Sequence, residues 1–158
     1  MPIEKILVTK KQDLTPRHQN AHPVYEFHSY DVVPRHTGTK SAVAFFDIAP
    51  GKSNFPFHWH DDSEEIFYII SGEGTLETNG GDIPVSAGTV IFCPAGAEGA
   101  HKLTNTSSFE PLCYIDIDTL PKTDLCVYPK TGKIGVYTKS NAGGVFKSDN
   151  SVGYYDGE

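Results

Sequence analysis

The hydrophobic residues of this 158-residue chain fall in short runs separated by turns. Residues 42–48 form a β-type run that ends at Ala-Pro-Gly, where proline fixes φ and glycine permits a tight turn. Residues 65–70 are dense in β-formers, and residues 75–78 alternate as a half-buried strand should. Asn79-Gly80-Gly81 then predicts a hairpin turn, because both residue types tolerate positive φ. These features predict a meander of short strands.

The same pattern continues towards the C-terminus. Further β-type runs occupy residues 89–93, 111–117, 125–128 and 135–137. Apolar residues nowhere recur at helical spacing for three turns. Many short strands with turn punctuation predict an all-β sandwich or barrel.

The chain is long enough for one domain with its own core and too short to favour two. Residues 11–40 show neither helical nor strand periodicity, so we predict an irregular lead-in with at most a short strand. We interpret residues 1–40 as this lead-in, packed on the barrel, and residues 41–158 as a single domain with a C-terminal extension.

The strand predicted from Glu65 is apolar on both faces, with Phe67 and Ile69 on one side and Ile66 and Ile70 on the other. A strand with one face in water would alternate between apolar and polar residues. We therefore expect its outer face to be covered, either by the lead-in or by a second subunit. A homodimer is the preferred cover.

Charge and cysteine content exclude several classes of protein. The net charge of −7 argues against nucleic acid as a partner, because that affinity depends on clustered lysine and arginine. No stretch predicts a membrane span or a secretory signal, so we expect a cytoplasmic protein without a membrane partner. Cys93, Cys113 and Cys126 fit neither a disulfide framework nor a zinc ribbon and are expected to be buried thiols.

Candidate chemistry begins at His58-x-His60, where the two-residue period of a strand sends both imidazoles to the same face. Paired imidazoles suit a divalent metal, although this spacing alone is a weak signal. Glu65 follows an acidic turn, and His101 follows a second turn. Three nitrogen donors and one oxygen donor leave one or two positions open on a five- or six-coordinate ion. The pattern predicts a reaction or ligand-binding centre rather than a closed structural site.

These residues lie in two segments that resemble the two motifs of the cupin family. Residues 51–72 read Gly-x6-His-x-His-x4-Glu-x6-Gly, and residues 88–105 read Gly-x5-Pro-x-Gly-x4-His-x3-Asn. The gap before each motif's first histidine is longer than usual, by one residue after Gly51 and by two after Gly96. The resemblance covers roughly residues 41–158 and looks like a group of single-domain cupins of unassigned function. It implies a double-stranded β-helix, or jelly-roll barrel, with the metal ligands His58, His60, Glu65 and His101.

The resemblance and the donor types leave three functions open for a small-molecule partner. In the first, the protein is an isomerase-type enzyme in which one divalent transition metal (Zn, Mn, Fe or Ni) acts as a Lewis acid on a sugar or keto acid. In the second, the protein is an iron-dependent dioxygenase. In the third, it is not an enzyme and binds a small molecule at the metal. A phosphosugar would call for several basic residues near the mouth, and only Lys52 and Lys102 lie close in sequence to the donors.

Other residues near the motifs have simpler explanations. Glu64 competes with Glu65, but the spacing to Gly72 favours Glu65, and Glu64 would point to the opposite face. Core packing accounts for Trp59 as well as ligand stacking does. Cys93 is expected to behave as a small buried hydrophobe. Several remaining polar residues are interpreted as surface or loop positions: Asp61, Asp62, His18, His22, His28 and His36.

Overall fold

The regular structure consists of thirteen strands and two single 3-10 turns within the described part of a computed structural model, residues 3–35, 37–138 and 143–158. The strands are β1 (Arg17–His22), β2 (Tyr25–Val33), β3 (Ser41–Ile48), β4 (Trp59–His60), β5 (Glu65–Ser71), β6 (Glu73–Thr78), β7 (Gly81–Ser86), β8 (Val90–Cys93), β9 (His101–Asn105), β10 (Leu112–Thr119), β11 (Thr123–Tyr128), β12 (Lys133–Thr138) and β13 (Gly144–Lys147). The all-β prediction is confirmed. No helix in these ranges is long and apolar enough to cross a membrane.

The strands form three groups, and every strand pairing is antiparallel. A six-stranded sheet has the order β1-β2-β3-β10-β5-β8, a four-stranded sheet the order β13-β12-β11-β4, and a three-stranded sheet the order β7-β6-β9. Strands distant in sequence are neighbours in each group, as the pairing of β3 with β10 shows. Such crossovers bring the two predicted motifs to the same part of the barrel.

The hydrophobic core lies between the six-stranded and three-stranded sheets. The first sheet contributes Phe67 and Ile69, and the second contributes Leu76 and Leu103, all of them buried. Burying each of these large side chains stabilises the fold by about 1.5–3 kcal/mol. The apolar core fills one end of the barrel. The polar side chains of the two motifs lie in the interior next to it.

The lead-in is more regular than the sequence predicts. Residues 17–33 form β1 and β2, which extend the main sheet beyond β3 instead of crossing its face. All six residues of β1 are exposed, so this strand is held by backbone pairing with β2 and not by burial. A strand without a buried face has no hydrophobic alternation, which is why the pattern along the sequence does not reveal it.

The outer face of β5 is not covered by the lead-in. Ile66, Tyr68 and Ile70 are 37%, 45% and 43% exposed, and β8 places Val90 and Phe92 beside them at 65% and 55%. We call these five residues the outer patch. The described residues of the lead-in do not cover this face, and a second subunit as its cover stays a prediction.

Candidate metal centre

The four predicted donors come from three places in the chain that the fold brings together. His58 lies just before β4 and His60 within it, while Glu65 opens β5 and His101 opens β9. His58 and His101 exchange both backbone hydrogen bonds, at 3.1 and 2.9 Å. Residues paired in this way in antiparallel strands point their side chains to the same face. The backbone thereby joins the first motif to the second.

The four side chains converge in the interior. The Nε2 atoms of His58, His60 and His101 lie 3.8, 3.7 and 3.2 Å from the nearest Glu65 carboxylate oxygen. All four residues are buried, with exposures between 2% and 8%. The alternative carboxylate, Glu64, is exposed on the other face of the strand. The spacing argument therefore selected the inward-pointing glutamate.

Each histidine is held through its other ring nitrogen. Nδ1 of His58 donates to the Pro56 carbonyl at 2.8 Å, and Nδ1 of His101 donates to the Gly99 carbonyl at 2.9 Å. A carbonyl oxygen only accepts, so Nδ1 carries the proton in both rings. In a neutral imidazole Nε2 is then the atom with the free lone pair. His101 Nε2 is buried and makes no hydrogen bond, which leaves its lone pair directed at the centre.

The third histidine is oriented by a carboxylate that lies in neither of the two motifs. Asp124 on β11 accepts from His60 Nδ1 at 2.5 Å and also accepts from the backbone amides of Asp62 and Ser63. Carboxylates that hold a ligating histidine in this way fix its orientation and raise its basicity. The predicted acidic turn does not supply this group, because Asp61 and Asp62 are exposed.

The protonation states follow from burial and from these contacts. Burial lowers the pKa of His58 to about 3 and that of His101 to about 4, so both rings are neutral at pH 7. Burial also acts against a charged His60, but hydrogen bonds to Asp124 and Cys126, together with the charge of Glu65, raise its pKa to about 11. Burial and the nearby Asp118 raise the pKa of Glu65 to about 7. The centre thus holds a buried proton that a bound cation would displace.

Two further carboxylates lie beside Glu65. Asp116 and Asp118 face inward from β10, and Asp118 is the cross-strand partner of Glu65. One oxygen from each of these three residues lies within 4.8 Å of the other two. Burial and then the charges of Asp118 and Glu65 raise the pKa of Asp116 well above its usual value. Burial and the repulsion among these carboxylates thus favour the protonated form of Asp116.

A second three-donor group shares two histidines with the predicted set. Cys126 pairs across strands with His60, and donor atoms of Cys126, His58 and His60 all lie within 4.8 Å of one another. The sequence assigned Cys126 only to the buried thiols, and it is 2% exposed. His58, Glu65 and His101 form the corresponding group on the other side. The two groups are alternative sets of possible metal donors.

Three of the four predicted donors line a cavity of about 730 Å³. Its lining includes His58, His60 and Glu65, and residues of the lead-in form part of its wall: Arg17, Gln19, His22, Tyr25, Phe27, Asp31, Val33, Pro34 and Arg35. The volume is within the range of sites for small molecules. Neither arginine nor His22 was predicted as a site residue, because all three are far from the motifs along the chain.

The other residues considered in the sequence are not among the predicted donors, and their positions are as follows. Cys93 is buried, and burial followed by the charges of Glu65 and Asp116 raises its pKa to about 12, so it remains a thiol. Trp59 is half-buried and points away from the cavity lining. His18 and His28 stack on each other in the lead-in, with ring centroids 4.3 Å apart. His36 lies outside the described residues.

Comparisons with known proteins agree with the motifs. Residues 44–118 match the family model of the cupin domain, Cupin_2. An oxalate-binding protein from Thermotoga maritima is 39% identical over 61 residues, which are 39% of this chain and 48% of the relative. The chain therefore matches about half the length of that curated relative.

Solved structures resemble a larger part of the chain. A putative sugar phosphate isomerase from Acidithiobacillus ferrooxidans has a TM-score of 0.78 at 21% identity, covering 92% of this chain and 95% of that one. A predicted oxalate decarboxylase from Thermotoga maritima has a TM-score of 0.64 at 27% identity, covering 73% of this chain and 100% of that one. The matched family model shows a cupin domain at residues 44–118, and the similar structures show that the chain has the jelly-roll fold.

Proposed function

We propose that this cupin holds one divalent transition metal through His58, His60, Glu65 and His101 and acts on a small, oxygen-rich molecule. The proposed reaction is of the isomerase type, on a sugar or keto acid. When bound, the metal supplies a Lewis acid that polarises a substrate oxygen.

One observation carries this proposal. Three buried imidazoles each have Nδ1 tied to an acceptor, and their Nε2 atoms all lie within 3.8 Å of one carboxylate. A cluster packed only for stability would pair its buried nitrogens, because an unsatisfied buried polar atom costs about 1–3 kcal/mol. The unpaired Nε2 of His101 fits a missing cation. Nitrogen and carboxylate donors suit zinc, manganese, iron and nickel alike.

The protein's own groups prepare the site for a substrate. Asp124 and the two carbonyl acceptors fix the histidine rings, so the rings need not reorganise when a ligand enters. The cavity next to them leaves room for a small molecule. Names among the relatives point to two roles, isomerisation in one and ligand binding in another. The non-catalytic alternative, with the metal as an anchor, rests on the second of these.

The test of this function starts from protein purified without added metal. We expect elemental analysis to find close to one transition metal ion per chain. The loaded protein, incubated in D₂O with a panel of small aldoses, ketoses and keto acids, should then exchange or rearrange a substrate hydrogen that NMR can follow. A chain without bound metal would refute the metal proposal. Metal with saturable ligand binding but no turnover would favour the non-catalytic alternative.

The iron-dependent dioxygenase is separated by a different measurement. The iron(II)-loaded and zinc-loaded proteins are compared in an oxygen electrode with the same panel. Because zinc is redox-inert, an isomerase retains activity with zinc and consumes no oxygen with iron. Oxygen uptake that requires both iron and a substrate would replace the isomerase proposal with the dioxygenase.

A homodimer assembled through the outer patch is the second element of the proposal. Phe92 and Ile66 are directly opposite in the pairing of β8 with β5, so the exposed side chains form one contiguous apolar surface. We expect light scattering after size exclusion to give twice the mass of 17.3 kDa. Phe92→Lys should shift the protein to monomer, because a charge in an apolar interface is desolvated without a partner.

Val145→Lys is the matched control for the dimer. Val145 is 54% exposed, close to the 55% of Phe92, but lies on β13 in the four-stranded sheet. This variant should remain dimeric. A wild-type monomer, or a dimer indifferent to Phe92→Lys, would contradict the proposed interface. We place the dimer in the cytoplasm, where three unpaired cysteines remain reduced.

A further inference from the structure

The strongest unexplained feature of the cavity is Arg35, which follows β2 and lies far from both motifs in sequence. Its Nη2 donates to Asp118 Oδ2, and the Asp118 side chain is only 5% exposed. The Arg35 side chain is 43% exposed and lines the same cavity as His58, His60 and Glu65. A buried carboxylate therefore fixes one edge of the guanidinium of Arg35, a residue that lines this cavity and also a smaller one.

A single residue, Asp118, connects Arg35 to the proposed metal donors. Asp118 contacts Arg35, and an Asp118 oxygen lies within 4.8 Å of a Glu65 oxygen. The positive charge of Arg35 acts on His58, Glu65 and Asp116. Within the described residues Arg35 hydrogen-bonds through Nη2 alone, so its other N–H groups are available to a ligand. A guanidinium presents five donors in a planar fork.

Arg17, the other arginine of the cavity lining, is arranged differently. Its Nε and Nη2 both donate to Ser29 Oγ at 3.3 Å, and Nη2 lies 3.6 Å from Asp31. Its side chain is 72% exposed. Exposed pairs of this kind contribute little, because water screens them. Arg17 therefore has partners on its own sheet and no link to the donors.

We propose that Arg35 is a specificity-determining residue that binds the carboxylate of a small hydroxy or keto acid while an oxygen of the same molecule faces the metal donors. This inference rests on the proposed metal site and names the substrate class within it. The planar fork of arginine matches a carboxylate in two parallel hydrogen bonds. Asp118 acts as a positioning residue, because it fixes the orientation of the fork before the ligand arrives.

The surroundings favour a carboxylate over a phosphate ester. Glu65, Asp116 and Asp118 cluster beside a single guanidinium that is already paired with one of them. A phosphate ester carries nearly two negative charges at pH 7 and would require more cationic partners than Arg35 alone supplies beside these carboxylates. A singly charged carboxylate needs only one. Neither Lys52 nor Lys102 lines the cavity, and Lys52 donates to the Pro23 carbonyl.

The test uses calorimetric titration of the metal-loaded full chain with three probes: glycolate, ethylene glycol and inorganic phosphate. Glycolate and ethylene glycol differ in the carboxylate alone. We expect glycolate to bind more tightly than either other probe. Arg35→Gln should weaken glycolate about tenfold to a hundredfold, the range for loss of a charge-assisted hydrogen-bonded contact, and leave ethylene glycol unchanged. Arg17→Gln, the matched control, should change glycolate binding less than about twofold.

Metal content, measured on each variant, separates failure of this inference from failure of the metal site. Wild-type protein without metal would refute the proposed function itself. Full metal content in Arg35→Gln with unchanged glycolate affinity would overturn the role of Arg35. Tighter binding of phosphate than of glycolate, lost in Arg35→Gln, would overturn the substrate class.

A second variant covers the case in which Arg35→Gln fails to fold because Asp118 is left unpaired. Arg35→Lys keeps the charge next to Asp118 but loses the planar fork. We expect it to fold, to retain metal and to bind glycolate measurably more weakly than wild type. Wild-type affinity in Arg35→Lys would exclude recognition by the fork and overturn the proposal.

Discussion

Replacing His101 by alanine is expected to abolish stoichiometric binding of a divalent metal. His101 is the only proposed donor from the second motif, and its Nε2 is the buried atom left without a hydrogen bond. The change leaves the three donors at the β4–β5 end of the site and removes the imidazole donor on β9. Elemental analysis after dialysis against metal-free buffer should fall from about one ion per chain to a small fraction.

Cys126→Ser is the control that distinguishes the two donor groups. Cys126 is as buried as His101 and lies with His58 and His60 in the competing group. If the cupin set holds the ion, Cys126→Ser keeps its metal while His101→Ala loses it. The reverse result would move the site to His58, His60 and Cys126. Unfolding transitions of both variants show whether either loss reflects a general loss of structure.

Gly99→Ala is expected to damage the fold and the metal site together. A Cβ built at Gly99 would lie 1.9 Å from the Pro94 carbonyl oxygen, which is backbone and cannot rotate away. Overpacking of this kind costs about 1–3 kcal/mol, and we expect the upper part of that range. The Gly99 carbonyl also accepts the Nδ1 proton of His101, so displacement of the turn moves this ring. Metal affinity should therefore fall with stability.

The measurement combines denaturant unfolding of the metal-free protein with metal titration against a chromogenic chelator. Gly80→Ala is the matched control, because a Cβ there would meet only Thr78 Oγ1 at an ordinary 3.7 Å. This variant should match wild type in metal affinity and remain close to it in stability. Gly99→Ala with wild-type stability and affinity would show that the turn relaxes without moving His101.

The donors of the proposed site could be predicted because short-range spacing fixes them. His58 and His60 are two residues apart in an extended segment, and Glu65 begins the next strand. Four residues separate Gly96 from His101, two more than usual, and the first three form a 3-10 turn, Ala97–Gly99, that ends one residue before the β9 strand. The lengthened gap therefore changes the loop and leaves His101 facing the interior.

The partners of the donors could not be predicted in this way. Asp124 is 64 residues from His60, and Arg35 is 83 residues from Asp118. Such contacts depend on which strands become neighbours and in which register, and local periodicity carries no record of either. The same reason hides Asp116 and Asp118, which read as polar interruptions of an apolar strand until β10 is placed beside β5.

Some strands were missed for reasons of composition. The β7 strand contains Pro84, which lowers strand propensity, but β7 is at the edge of its sheet, where a missing N–H is tolerated. The β1 strand has no buried residue at all. An edge strand of this kind is stabilised more by hydrogen bonds to the backbone of its neighbour than by the packing of its own side chains.

Because β1 and β2 extend the main sheet, the proposed metal donors and part of the cavity wall come from different segments of the chain. All four proposed donors lie in residues 58–101, whereas Arg35 and the part of the cavity wall beside it come from residues 17–35. Selection can therefore act on the wall without altering the donors. Grafting a different lead-in onto the same barrel would give a chain that keeps its ion and accepts different molecules, so ligand preference can diverge among such chains faster than metal chemistry.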